Sequence, residues 1–269
     1  MTSWLVTVAA LAIALVLLVR WIEPRVAFFP FQGETETPRN HGLVYEALTL
    51  TTSDGERLAA WMMPASQPRA TVVYFHGNGG NLSNWAPILA QIVRHGYSVL
   101  AVDYRGYGLS SGRPSERGVY RDVEATLAHA ARLNRDAPLV YWGRSLGAAL
   151  AAYAASIEAP DGVILEASFP SARAAVRSSP VLAGLSLLGS YRFPTTQFMK
   201  NVRAPALVLH GDRDSVIPFE LGRAVYDALP GPKSFVVIRG GDHNDTVAAD
   251  DGYWPAVEGF VARLTPSAP

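Results

Sequence analysis

The sequence predicts an α/β fold, a doubly wound and mostly parallel sheet of about eight strands with helices on both faces. Three observations lead there. Short apolar runs with valine and isoleucine recur at 71–75, 98–103, 139–142, 162–165, 206–209 and 235–238, the pattern of parallel strands buried on both faces. Helical stretches separate most of these runs. Ahead of them, two alternating segments, 42–52 and 57–63, flank the turn Ser53-Asp54-Gly55 and read as an antiparallel hairpin.

Residues 4–19, WLVTVAALAIALVLLV, contain no charge. At about 1.5 Å per residue, with Trp21 and Ile22 extending the stretch past a snorkelling Arg20, this segment reaches roughly 24–29 Å, close to the hydrocarbon thickness of a bilayer. Residues 1–24 are therefore expected to be an N-terminal membrane anchor. A cleaved signal peptide is the main alternative, but the basic leader is missing and Arg20 to Pro24 make a poor cleavage site; a buried or interfacial helix is the third. Arg20 and Arg25 follow the apolar stretch and no Lys or Arg precedes it, so the positive-inside rule favours a cytoplasmic domain after it. Residues 24–38 read as a juxtamembrane linker whose AFFPF run, 27–31, would set phenylalanines at the interface.

Beyond the linker, 25–266 reads as one domain. Helices are expected at 84–95, 116–133, 146–156, 219–229 and 253–264. The connection 168–205 is too long for a simple crossover and carries an apolar stretch with Val181, Leu182, Leu185, Leu187 and Leu188. It is expected to form a small cap, about 169–205, over the sheet.

Composition narrows the function. A chain of 269 residues that is 49% apolar can bury a substantial core. Formal net charge is zero and the 23 basic residues are spread along the chain, which disfavours a nucleic-acid partner. There is no cysteine, which excludes disulfides, thiol nucleophiles and cysteine metal sites.

Ligands of open parallel sheets gather at the carboxyl ends of the strands. The polar residues just past those ends are His76 with Gly77 and Asn78, then Asp103, Ser145, Glu166, Asp212 with Asp214, and Asp242 with His243. Ser145 lies in GRSLG between a strand and an alanine-rich helix, the context of a sharp strand-to-helix turn. A serine hydroxyl needs a histidine to take its proton and a carboxylate to orient and stabilise the imidazolium. Ser145, Asp214 and His243 supply those groups in chain order, with Glu166 as the alternative acid. His76 reads as a loop-shaping residue, His210 as a packed core histidine, and the turn around Arg105 and Gly108 as pocket floor.

The order serine, acid, histidine on such strands resembles the α/β-hydrolase fold. Four stretches carry the resemblance: YFHGNGGN at Tyr74, GRSLG at Gly143, LHGDRDSVIP at Leu209 and GGDHND at Gly240. With DYRGYGLSSG at Asp103, the anchor and the small cap, the chain also resembles the membrane-anchored serine hydrolases related to protein depalmitoylases. The resemblance implies that Asp214, in a turn with Gly211 and Pro218, is the acid, and that Asp212 serves the turn. It also implies an oxyanion hole of the backbone N–H groups of Leu146 and Asn78, or of an amide neighbouring Asn78 in the glycine-rich loop.

The implied activity is cleavage of acyl esters or thioesters through an acyl-serine, with no metal or organic cofactor. The substrate is expected to be a small molecule, a lipid or an acylated protein, the last two being favoured by the anchor. A serine peptidase of the same fold is the nearest alternative, and a catalytically silent membrane-tethered binding protein is another.

Overall fold

The computed structural model describes residues 2–133, 136–179 and 183–266. One sheet contains β1 (Glu46–Thr51), β2 (Arg57–Met63), β3 (Ala70–Phe75), β4 (Tyr97–Val102), β5 (Leu139–Arg144), β6 (Gly162–Glu166), β7 (Ala206–Gly211) and β8 (Lys233–Ile238). Their spatial order is β8-β7-β6-β5-β3-β4-β2-β1. β2 runs antiparallel to both β1 and β4, and every other neighbouring pair is parallel. The order reverses around β3, between β4 and β5, which opens a crevice at the carboxyl ends of β3 and β5.

The helices are α1 (Thr2–Ala27), α2 (Leu82–Arg94), α3 (Glu116–Ala130), α4 (Leu146–Ile157), α5 (Ala172–Ser178), α6 (Thr195–Met199), α7 (Phe219–Ala228), α8 (Thr246–Ala249) and α9 (Tyr253–Val261). Alternate residues of β3 feed opposite layers, as the two-residue period of a strand requires. Val73 and Phe75 join Val123 of α3, Leu150 of α4 and Val225 of α7, whereas Val72 and Tyr74 join Leu89 of α2 and Phe260 of α9. The sheet is thus covered on both faces, and β3 to β7 are buried throughout.

Several boundaries move for local reasons. β1 starts at Glu46 rather than at 42, because Pro38–His41 form a 3-10 turn and the Leu43 N–H returns to the Pro38 carbonyl. α2 starts earlier than expected because Asn81 and Asn84 cap each other reciprocally, a capping box written with two asparagines. α3 and α9 end sooner, at Ala130 and Val261; beyond Ala131 and Ala262 the N–H groups of Arg132, Leu133, Arg263 and Leu264 bond three residues back and close tight final turns.

The N-terminal segment departs most from expectation. α1 is long and apolar enough to cross a membrane, but it continues to Ala27, through Pro24. The segment after it is not a plain linker. Phe28 is 2% exposed in the core, whereas Phe29 and Phe31 point outward at 50% and 59%. Phe29–Pro30 pairs in parallel with Gly79–Gly80. The excursion at 168–205 holds α5, a 3-10 helix at Ala183–Leu187, and α6. Of its apolar cluster, Val181 and Leu182 lie outside the described residues.

Candidate active site

β5 delivers Ser145 and α4 leaves from it. Ser145 adopts φ 55° and ψ −119°, a conformation that costs a non-glycine residue of order 1–3 kcal/mol and needs its surroundings to hold it. The surroundings are tight. A Cβ on Gly147 would run into the Phe75 carbonyl, and one on Gly143 into the Gly147 carbonyl. The Ser145 N–H donates to the Glu166 carbonyl at 2.9 Å, which pins the turn to β6.

Three distant segments converge there. Ser145 Oγ lies 3.1 Å from His243 Nε2, and His243 Nδ1 lies 2.8 Å from Asp214 Oδ2. Since a carboxylate only accepts, Nδ1 carries the hydrogen and Nε2 is left to accept from the serine hydroxyl. Ser145, His243 and Asp214 are 8%, 8% and 9% exposed, so the array is largely screened from water. Asp214 Oδ1 also accepts the N–H groups of Val216 at 2.9 Å and Ile217 at 2.7 Å. Burial pushes the Asp214 carboxyl up, but the bond to His243, the charge there and these two amides outweigh it and hold the group below its usual range.

The loop bearing His243 is fastened to the loop bearing Asp214. Asp242 Oδ1 accepts from the His243 N–H at 2.7 Å and from the Ser215 N–H and hydroxyl at 2.7 and 2.8 Å. These bonds pull the half-buried Asp242 carboxyl down to about 2. Asp212 accepts from the Gly240 N–H at 2.7 Å and is a turn residue.

Glu166, the alternative acid, is turned elsewhere. It accepts from Thr246 Oγ1 at 2.5 Å and Tyr253 OH at 2.9 Å, and its Oε1 lies 3.8 Å from Arg144 Nε. Sequence reasoning missed Arg144. Its guanidinium donates to the His243 carbonyl and sits over Trp85; burial alone would lower its pKa, but Glu166 and neighbouring groups hold it up. The signal was available: an arginine directly before the serine of the turn, at the buried end of a strand, requires a buried acid nearby.

The loop after β3 supplies the second face of the site. His76 Nδ1 donates to the Gly77 carbonyl at 2.7 Å and its ring stacks on Tyr104 at 4.2 Å, which makes it a loop-shaping residue. The Asn78 carbonyl accepts from Tyr107 OH at 2.8 Å and from the Phe29 N–H at 2.9 Å, so the Asn78 peptide is held from two sides. Leu146 is the first residue of α4, and its N–H has no carbonyl one turn back within the helix. His210 is fully buried; its Nε2 donates to the Ile217 carbonyl at 2.9 Å, beside Asp214. Arg105 is buried and paired with Asp122 and Asp54, and neither it nor Gly108 is among the lining residues of the two cavities that reach Ser145.

Ser145 opens on two cavities. One, of about 310 Å³, is mainly apolar, with Leu146, Phe169, Val176 and Ile217 among its walls. The other, of about 780 Å³, is more polar and includes Asn78, Trp85, Arg144 and His243.

Comparison with known proteins agrees with this architecture. A family model described as "Serine aminopeptidase, S33" matches residues 66–201. The uncharacterized membrane protein YNL320W of Saccharomyces cerevisiae is 34% identical over 239 residues, 86% of this chain and 84% of that protein. The mouse lysophosphatidylserine lipase ABHD12 is 30% identical over 186 residues, 62% of this chain and 47% of its own. Among solved structures, the Pyrococcus furiosus esterase Pf2001 superposes with a TM-score of 0.73 at 18% identity, covering 88% of this chain and 98% of that one. On the family match and the extent of the yeast relative, the chain is a hydrolase-fold protein of the serine aminopeptidase S33 family, within the α/β hydrolases.

Proposed function

We propose that the protein is a membrane-anchored serine hydrolase that cleaves acyl esters or thioesters. The observation that carries this reading is the Ser145–His243–Asp214 array, 3.1 Å and 2.8 Å between successive partners, on a backbone turn strained at the serine. In the first step the Ser145 oxygen attacks the acyl carbon while its proton moves to His243 Nε2. Asp214 stabilises the imidazolium. The oxyanion is received by the Leu146 N–H, at the positive end of α4, and by that of Asn78. The C–O or C–S bond to the leaving group then breaks and His243 returns the proton to that group. Water, activated by the same histidine, hydrolyses the acyl-serine in the mirror sequence.

The apolar cavity favours an acyl chain over an amino-terminal peptide. An α-ammonium needs a free carboxylate, and Glu23, the one acid at that cavity among the described residues, is occupied by Ser190 and Tyr191. The lysophosphatidylserine lipase named above makes a lipid ester a reasonable substrate class. We also read α1 as a single-pass anchor of residues 1–24, with 25–266 as the hydrolase domain, the 169–205 excursion as its cap, and the domain on the cytoplasmic side. Digestion of that domain by protease added outside intact spheroplasts would reverse the orientation.

The chemistry is tested with a fluorophosphonate probe and p-nitrophenyl esters. The full-length protein is expected to label and to turn over ester, and Ser145→Ala to do neither while keeping its circular dichroism spectrum. A wild type that neither labels nor turns over ester would instead point to a silent binding protein.

A further inference from the structure

α1 is built into the pocket. Val19, Ile22 and Val26 line the same cavity of about 310 Å³ that reaches Ser145, together with Ala172 and Val176 of α5. The helix end is clasped to the excursion: Glu23 carboxylate oxygens accept from the Ser190 N–H at 2.7 and 2.9 Å, the Ser190 hydroxyl at 2.5 Å and the Tyr191 N–H at 2.8 Å. One turn on, Phe28 packs edge-on against Tyr191 at 5.7 Å and Phe193 at 6.2 Å. The chain then bonds to the loop that carries Asn78, through the Phe29 N–H and through Asn78 Nδ2 to the Ala27 carbonyl at 3.4 Å. Helix end, excursion and Asn78 loop form one unit.

Depth follows from helix geometry. The charge-free run 4–19, about 24 Å of helix, fits inside a hydrocarbon core of about 30 Å and sets Arg20 and Trp21 near its edge. Trp21 stacks with Arg25 at 4.2 Å, a pairing suited to the headgroup layer. Val19, Ile22 and Val26 then straddle the boundary between acyl chains and headgroups. The volume is at the small end of the range for ligand sites, about 300–1,000 Å³, and favours a single chain.

We propose that the C-terminal end of α1 is one wall of the acyl-chain site. The substrate is a membrane-resident, single-chain acyl ester or thioester whose chain lies between Val19, Ile22 and Val26 of α1 and Val176 of α5, and which reaches Ser145 from the bilayer side. Glu23 holds that wall against the cap. The proposal deepens the serine-hydrolase reading and rests on it for the reacting bond.

The full-length protein in lipid vesicles provides the test, with kcat/KM measured for acyl thioesters from two to sixteen carbons and taken as the ratio of variant to wild type at each length, so that partitioning into the bilayer, which itself favours longer chains by up to about fourfold per methylene, cancels. Val26→Trp fills the cavity, clashes with the end of a long chain and should lower the ratio of long-chain to short-chain kcat/KM by at least about tenfold relative to the wild type. Ile22→Ala enlarges it and should move the preferred length upward. Leu18→Trp, on α1 but outside the cavity, should leave the profile unchanged. Opposite shifts from the first two variants are not produced by loss of folding. Binding is read apart from turnover with a diazirine-bearing palmitate: crosslinks at Ile22 and Val26 that excess palmitate removes support the wall. An unchanged length profile in both variants, or no competed crosslink on α1, overturns it. Failure of the wild type to take a fluorophosphonate would refute the serine chemistry separately, and the crosslink would still decide the wall.

Discussion

Asp214→Asn is the change whose consequence can be worked most closely from the geometry. Asp214 Oδ1 accepts two backbone N–H groups, from Val216 and Ile217, while Oδ2 faces His243 Nδ1. An asparagine must keep its carbonyl oxygen toward the two amides, since turning its NH2 there would set donors against donors. The NH2 then faces Nδ1, which must accept, so the ring hydrogen moves to Nε2. A protonated Nε2 in the neutral ring cannot take the Ser145 proton, and the imidazolium loses its counter-charge. The same tautomer error in a serine protease costs about 10⁴ in kcat, equivalent to about 5.5 kcal/mol at 1.36 kcal/mol per factor of ten. We expect a loss of 10³ to about 10⁴ in kcat for a p-nitrophenyl ester, with little change in unfolding midpoint because both amide bonds persist. Asp212→Asn should leave kcat near the wild-type value. A loss below about tenfold in Asp214→Asn, or a larger one in Glu166→Gln, would refute the assignment of the acid and the tautomer argument with it.

Two further expectations concern the frame around the site. Gly147→Ala places a Cβ against the Phe75 carbonyl, with backbone on both sides and no flexible side chain to yield; it should cost about 1–3 kcal/mol of stability or more, read as a lower urea midpoint, and a midpoint equal to wild type would show that the turn relaxes freely. His210 is lowered below the ordinary imidazole range, because burial disfavours its charged form more than the Ile217 carbonyl and Asp214 favour it. Its unfolded form therefore takes up a proton first, near about pH 6.5, so its contribution is whole above that pH and is lost as pH falls from there toward the folded pKa. His210→Gln keeps an N–H for Ile217 and takes up no proton, so its stability should decline less between about pH 7 and about pH 5; equal slopes in denaturation series would remove His210 as the cause. The depressed Asp214 carboxyl acts in the same direction but in a more acid window, below the ordinary aspartate range.

Much of this architecture was determined by the sequence alone, because its signals are local. A buried strand needs only a run of valine and isoleucine, so all eight strands were legible with ends displaced by a few residues. The turn at Ser145 was legible because two glycines mark where backbones approach too closely for a Cβ. Ser145, Asp214 and His243 could be picked out because each follows a strand end, and the topology brings such ends to one edge. What the tertiary structure decided involves partners far apart in sequence. Glu166 and Asp214 both follow a buried strand; in the fold Asp214 meets His243, whereas the Glu166 carboxylate is occupied by Thr246 and Tyr253, 80 and 87 residues from it. Arg144 carries no local sign that it will hold the His243 loop, 99 residues on. The largest revision concerns the apolar N-terminus. Hydropathy says that such a helix shuns water and is the same whichever way the helix faces. That its last turns close the cavity of Ser145 follows from Glu23 meeting Ser190 and Tyr191, 167 and 168 residues away. Chain folding brings such pairs together, and no periodicity within a single segment encodes them.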